Sequence, residues 1–88
     1  MFLHIGRSIV IPLRSLIGII DYDSFISSEI NQDFINIYRE EGFLKNKITK
    51  DVKSLVLVEE DAKYYIYCSP ISSVTLYKRA ANPYEITE

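Results

Sequence analysis

The lysines between residues 45 and 53 are the side chains of this sequence that could most readily do chemistry. Within these nine residues the chain carries four lysines against a single acid, Asp51. Such a segment is ordinarily a solvated loop, but lysine also neutralises phosphate as a point charge and releases the counterions condensed on DNA. The solvated loop is the simpler interpretation of composition alone; the alternative is contact with the backbone of duplex DNA, made by Lys45, Lys47, Lys50 and Lys53 and helped by Arg7 or Arg14.

The other candidates for chemistry each have a simpler structural explanation. His4 is the only histidine and Cys68 the only cysteine, so the chain can form neither a multi-histidine metal site nor an internal disulfide. The acidic turns lack the ligand spacing of a calcium loop, and the scattered glycines form no phosphate loop. The tyrosines at 64, 65 and 67 could stack on bases, although such residues more often cover sheet or interface surface. We therefore expect no catalytic residue, metal, cofactor or small-molecule substrate, and we predict that the protein is not an enzyme.

These residues must be positioned by one small fold. A chain of 88 residues is too short to supply two hydrophobic cores. We predict a single α+β domain over residues 1–80, followed by a flexible tail over residues 81–88. The expected order is ββ(β)-α-ββ-α, with a mixed or antiparallel sheet and one main helix.

The local patterns give approximate bounds for these elements. Apolar runs at 2–5, 8–11 and 13–20 predict strands, with Pro12 ending the second and a polar turn following at 21–24. A helix is expected after Ser27 or Ser28, and Gly42 suits its end. Its apolar face should comprise Ile30, Phe34, Ile37 and Tyr38. Residues 54–58 and 64–68 predict a hairpin, and a short helix should follow Ser69-Pro70 and end near Arg79.

Composition points to self-association. Hydrophobic residues make up 48% of the chain, more than a small monomer easily buries. We therefore predict a homo-oligomer whose interface includes Leu55, Leu57, Tyr65 and Tyr67. The net charge of −2 argues mildly against nucleic-acid binding. The lack of a basic leader, of a long apolar run and of paired cysteines predicts a cytoplasmic protein that does not enter membranes.

Three segments together resemble the small bacterial extracellular matrix regulatory protein B family. They are Phe2-Leu3-His4-Ile5-Gly6, the run Leu16–Ile20 with Asp21, and Ser69-Pro70-Ile71 continuing to Arg79. This family is grouped with the extracellular matrix (biofilm) regulator A family, long filed as a domain of unknown function. The resemblance spans about residues 1–80 and rests on the combination of segments.

The resemblance implies a cytoplasmic bacterial regulator. The A-type relatives are DNA-binding activators of biofilm-matrix genes that assemble into rings, and their fold is similar to LytTR-type DNA-binding domains. Their arginine-rich turn before the strand that follows the helix contacts DNA. That turn corresponds here to Thr49–Lys53, with Lys50 and Lys53 at basic positions and Asp51 where the A-type pattern has an arginine.

Two hypotheses follow from the sequence. In the first, the chain is a homo-oligomeric, ring-like transcriptional regulator of matrix genes that binds double-stranded DNA. In the second, it is an oligomeric scaffold or protein-interaction subunit that does not bind DNA. Asp51 and the net acidity favour the second, since an acid repels phosphate and lysine lacks the bidentate fork of arginine.

Overall fold

The computed structural model describes residues 1–82 and confirms a small α+β fold with antiparallel strands. A single 3₁₀ turn, Leu13–Ser15, separates the second and third strands. The strands and helices are β1 (Phe2–His4), β2 (Val10–Pro12), β3 (Leu16–Asp21), α1 (Tyr22–Ile26), α2 (Glu29–Glu40), β4 (Ser54–Glu60), β5 (Lys63–Ser69) and α3 (Ser73–Ala81).

The five strands form two sheets. β1 and β2 pair as a separate antiparallel hairpin. The other three form a sheet of order β3-β4-β5, in which β4 is central. In this sheet Asp21 lies opposite Ser54, and Ser54 lies opposite Ser69. The register shifts between Leu16 and Gly18, so the outer strand β3 carries a bulge at Ile17.

Alternate residues of β4 face two separate hydrophobic clusters, because successive side chains of a strand point to opposite faces. Val56 and Val58 belong to a cluster with Leu76 of α3 and with residues of β1 and β2. Leu55 belongs to a second cluster, with Ile35 of α2 and residues of β5. The β1–β2 hairpin and α3 therefore cover one face of the sheet, and α1 and α2 cover the other.

The burial of Leu55 corrects one expectation about the interface. Its side chain is only 1% exposed, inside the second cluster, so it has no surface to offer a partner. Leu55 belongs to the core because its side chain points from the central strand towards α2.

The main helix was predicted correctly in its bounds but not in its orientation. α2 follows Ser28 and ends before Gly42, which has a φ of +84°, as the sequence indicated. However, the residue that α2 buries is Ile35, while Ile30, Phe34 and Ile37 of the expected apolar face are exposed. The apolar side of the helix is thus wider than the sheet surface that covers it.

Three other boundaries differ from the expectation. Residues 22–26 form α1, where a polar turn was expected, because the Asp21 carboxylate caps this short helix by accepting from the Ser24 amide at 2.9 Å. Pro12 is the last residue of β2, and the third strand starts only at Leu16. α3 extends to Ala81, and residues 83–88 of the expected tail lie outside the described part of the chain.

Within residues 1–82, none of the helices has the length and apolar character needed to cross a lipid bilayer.

Candidate nucleic-acid interface

The lysine loop, defined here as residues 45–53, is hydrogen-bonded to β5 at both ends. Leu44 forms a parallel bridge with Ile66, and the Lys45 amide donates to the Ile66 carbonyl at 2.8 Å. At the other end, the Lys53 amide donates to the Ser69 carbonyl at 2.8 Å. Because both ends join the same strand, the loop is held beside the end of the sheet where β4 begins.

Asn46 extends this pairing with its side chain. Its amide group donates to the Cys68 carbonyl at 2.9 Å, and its amide oxygen accepts from the Cys68 backbone N–H at 2.7 Å. These two bonds satisfy backbone groups that would otherwise be unpaired at the outer edge of β5. Sequence reasoning missed Asn46, since nothing in a polar loop signals a partner 22 residues away.

Arg7, in the β1–β2 turn, hydrogen-bonds to the middle of the lysine loop, and these contacts are called the clamp below. Its guanidinium donates to the Lys47 carbonyl at 2.9 Å, to the Thr49 hydroxyl, and to the Asp51 carboxylate at 2.9 Å. The Arg7 side chain is only 24% exposed. A guanidinium that already serves three acceptors has few donors left for phosphate, so Arg7 positions the loop.

The turn that carries Arg7 is fixed from the other side by buried groups. The hydroxyl of Ser69, which is fully buried, donates to the Ile5 carbonyl at 2.7 Å and accepts from the Ile71 amide at 3.0 Å. Gly6 adopts a φ of +89°, and a Cβ there would lie 3.0 Å from the Pro70 ring. Glycine is thus required both for the conformation and for the close approach.

Arg7 itself adopts a left-handed backbone. Its φ is +54°, and that of Ser8 is +62°, the pattern of a tight hairpin turn in which Asn and Gly are the usual residues. For other residues this conformation costs about 1–2 kcal/mol each. The hydrogen bonds from Arg7 to the lysine loop offset part of that cost.

Asp51 is ionised and paired inside the clamp. The hydrogen bond from Thr49, followed by that from Arg7, lowers the pKa of the Asp51 carboxyl below its usual value of 3.8. The charge of Asp51 is therefore balanced by Arg7 at neutral pH. Its position in the turn serves to hold the guanidinium against the loop.

The four lysines do not act as one group. Lys47, Lys50 and Lys53 are exposed, and within residues 1–82 none of them has an ion-pair partner. Lys45 points away: its Nζ lies 3.6 Å from a Glu60 carboxylate oxygen and 4.1 Å from the centre of the Tyr65 ring. The structure therefore leaves three of the four lysines exposed and on the same loop.

Arg14, the other arginine expected to help the lysines, lies at the opposite end of the sheet from the lysine loop. It precedes β3, whose first residue pairs with Val58, whereas the lysine loop leads into Ser54 at the other end. The two ends of β3 are separated by about 16 Å at 3.3 Å per residue. There Arg14 lines a cavity of about 510 Å³ with acidic residues of the β4–β5 turn, namely Glu59, Glu60 and Asp61.

Neither Cys68 nor His4, the side chains considered for catalysis, adds to the exposed surface of the lysine loop. Cys68 is buried, and its burial raises the pKa of its thiol to about 11, so it is protonated and a poor nucleophile near neutral pH. His4 is exposed on β1. Among the described residues, no group of three His, Cys, Asp or Glu side chains is close enough to hold a metal ion.

The remaining predicted interface residues are only partly buried. Tyr65 and Tyr67 pack at the margin of the first cluster, and Leu57 at the margin of the second. More of the exposed apolar surface comes from other side chains, among them Phe2, Ile17, Ile30, Ile37, Val74 and Tyr77.

The chain is similar over nearly its whole length to a known bacterial protein. The chain is 31% identical over 86 residues to extracellular matrix regulatory protein B of Bacillus subtilis (strain 168). The alignment covers 98% of this chain and 98% of that protein. No family model matches the chain.

Proposed function

The chain belongs to the extracellular matrix regulatory protein B family, and from this premise we propose that it is a non-enzymatic, homo-oligomeric regulator of matrix genes that binds the backbone of duplex DNA. The observation that carries the proposal is the set of three exposed lysines, without ion-pair partners among residues 1–82, on a loop fixed to the sheet. The site of action would be the cytoplasm, where a bacterial regulator meets DNA.

The rigidity of the loop supports phosphate binding. A flexible lysine loop loses conformational entropy when it binds, whereas a loop already held by Arg7 and Asn46 loses less. Asp51 does not argue against phosphate binding, because the Arg7 guanidinium lies 2.9 Å from its carboxylate and compensates its negative charge. What the loop presents to a polyanion is then Lys47, Lys50 and Lys53.

Three lysines from one subunit would bind DNA weakly. Each neutralised phosphate contributes through released counterions, and the interaction falls steeply as salt rises. Several subunits held side by side would present the loop repeatedly and raise the overall affinity without new contacts. DNA binding and oligomerisation are therefore linked parts of the same proposal.

The test removes two of the three lysines. We expect the Lys50→Gln, Lys53→Gln double variant to bind a duplex at least about 10-fold more weakly at low salt. The slope of log affinity against log salt should become shallower by about 2 for each subunit in contact with the DNA. Fluorescence anisotropy of a labelled duplex, with light scattering to verify the unchanged mass of the variant, measures both quantities.

A matched control removes the same charge elsewhere. Arg14→Gln with Lys63→Gln alters two exposed bases at the far end of the sheet, and its affinity should stay within about 2-fold of the wild type. Equal losses in both double variants would mean that net charge alone matters, and would contradict a defined site.

The scaffold function is the second candidate, and the exposed apolar side chains favour it as much as they favour a DNA-binding oligomer. It predicts an oligomer that shifts no duplex at tens of micromolar protein in roughly 50 mM salt, which is within the range of non-specific DNA binding. Such a result would replace the first proposal by the second.

A further inference from the structure

The outer side of α2 carries an apolar stripe that the described fold leaves uncovered. The stripe consists of Ile30, Phe34 and Ile37, spaced by four and three residues, and Ile30 and Ile37 are 78% and 56% exposed. At about 100° per residue, Ile37 points roughly 160° away from the buried Ile35. Ile30 and Ile37 therefore face away from the sheet, whereas Phe34, whose ring packs against Phe25 and Tyr38, forms the inner margin of the stripe. The acidic neighbours of the stripe are Asp33 and Glu40.

An apolar groove lies on the opposite face of the molecule, between β3 and α3. It has a volume of about 270 Å³ and is lined by Leu16, Ile17, Gly18, Ile19, Tyr77 and Ala80. Ile17 at the bulge of β3 and Tyr77 of α3 are 48% and 68% exposed. Gly18 lines the groove with its backbone, because it lies opposite Leu57, whose side chain packs on the other face of the sheet.

The charges of the two helices are complementary. α2 carries three acids and one base, whereas α3 carries no acid and two bases, of which Arg79 donates to the His4 carbonyl at 3.1 Å within the subunit and Lys78 is exposed. Lys78 follows Tyr77 at the groove and is exposed. An antiparallel contact between two copies of α2 would bring acidic flanks together, which costs free energy, whereas α2 against α3 brings opposite charges together.

We propose that the α2 stripe of one copy of this chain docks into the β3–α3 groove of the next copy. The inference rests on the homo-oligomer of the proposed function and names the surfaces that form it. Because two different surfaces meet, the contact is head-to-tail and generates a ring when the rotation between copies closes. The lysine loop lies at an end of the sheet, outside both surfaces, so successive copies present their loops on a common side.

The first test removes the stripe. Ile30→Ser with Ile37→Ser alters exposed side chains only, so the fold should persist, and the dissociation constant between subunits should rise by about 100-fold or more. Light scattering over a dilution series measures the mass. The control Phe2→Ser with Tyr64→Ser removes comparably exposed side chains outside the stripe and the groove and should leave the mass unchanged.

The second test removes one wall of the groove. Tyr77→Ser alters a groove side chain that is 68% exposed, so thermal stability should be maintained while the oligomer dissociates. Loss of assembly by a stable variant could not be attributed to unfolding. A Tyr77→Ser variant with wild-type mass would overturn the proposal.

The third test asks whether the contact is between unlike surfaces. Asp33→Lys and Lys78→Glu should each weaken assembly alone, because each creates like charges across the contact. An equimolar mixture should recover the wild-type mass, since alternating copies pair opposite charges at every contact. No recovery in the mixture would overturn the head-to-tail arrangement.

The outcomes separate this inference from the proposed function. A wild-type chain that is monomeric at all concentrations contradicts both. A wild-type oligomer whose mass survives the Ile30, Ile37 and Tyr77 substitutions contradicts only the assigned surfaces, and would mean that the stripe serves another partner or none.

Discussion

The carboxylate of Asp51 accepts hydrogen bonds from Thr49 and Arg7, and this arrangement decides what charge the lysine loop presents. Without the pairing, an acid in the centre of a basic turn would repel phosphate. With it, Asp51 and Arg7 compensate each other and leave the exposed lysines to face solvent. The lysines could be identified from sequence, but the clamp could not, because Arg7 and Asp51 are 44 residues apart.

The clamp predicts a particular titration of Asp51. Its pKa is lowered in the folded state, so its contribution to stability is present above the usual value of 3.8 and is lost as the pH falls through the folded value. Thr49→Val removes the larger of the two causes and should move the midpoint of Asp51 back towards 3.8. Carboxyl carbon chemical shifts recorded during an acid titration measure both midpoints, and a wild-type midpoint at or above 3.8 would contradict the clamp.

At the scale of elements, hydrophobic spacing located the helices and strands better than it oriented them. The bounds of α2 were indicated by local residues: Ser28 occupies its N-cap position, although its side chain makes no capping hydrogen bond, and Gly42 follows its last turn with a positive φ. Its rotation depends on which part of a broad apolar side meets the sheet, and the sequence pattern is compatible with several rotations. α1 was missed because an aspartate that can form a polar turn can equally cap a short helix.

The β4–β5 turn gives a prediction at this scale. Asp61 and Ala62 have φ values of +53° and +66°, a conformation that suits Asp-Gly better than Asp-Ala. Ala62→Gly should therefore stabilise the fold by about 0.5–1 kcal/mol, since relief of strain exceeds the added flexibility of the unfolded chain. Urea denaturation measures the change.

The matching control lies in a helix. Ala80→Gly in α3 should have the opposite sign and destabilise the fold by about 1 kcal/mol, because glycine is a poor helix former. Destabilisation by Ala62→Gly as well would show that the turn is not strained as described.

At the scale of the whole molecule, the sheet lies between two covering layers, and the three exposed surfaces discussed above lie on different sides of it. α2 exposes the apolar stripe, with its acidic neighbours, on one side of the sheet. α3 and β3 form the groove on the other side, and the lysine loop lies at one end. The apolar excess of the composition predicted association, but not the residues involved, since a sequence does not tell which apolar side chains a small core leaves uncovered. Stacking through the two faces would leave the ends of the sheet free for DNA.

The salt dependence of DNA binding tests the central claim that the loop works only in multiple copies. Each phosphate contact contributes about 0.9 to the slope of log affinity against log salt, so one subunit with three lysines gives a slope of roughly −3. We predict a slope steeper than about −5 for the wild-type protein, because at least two loops must bind the same duplex. A slope of about −3 or shallower, or no binding at roughly 50 mM salt, would contradict the account.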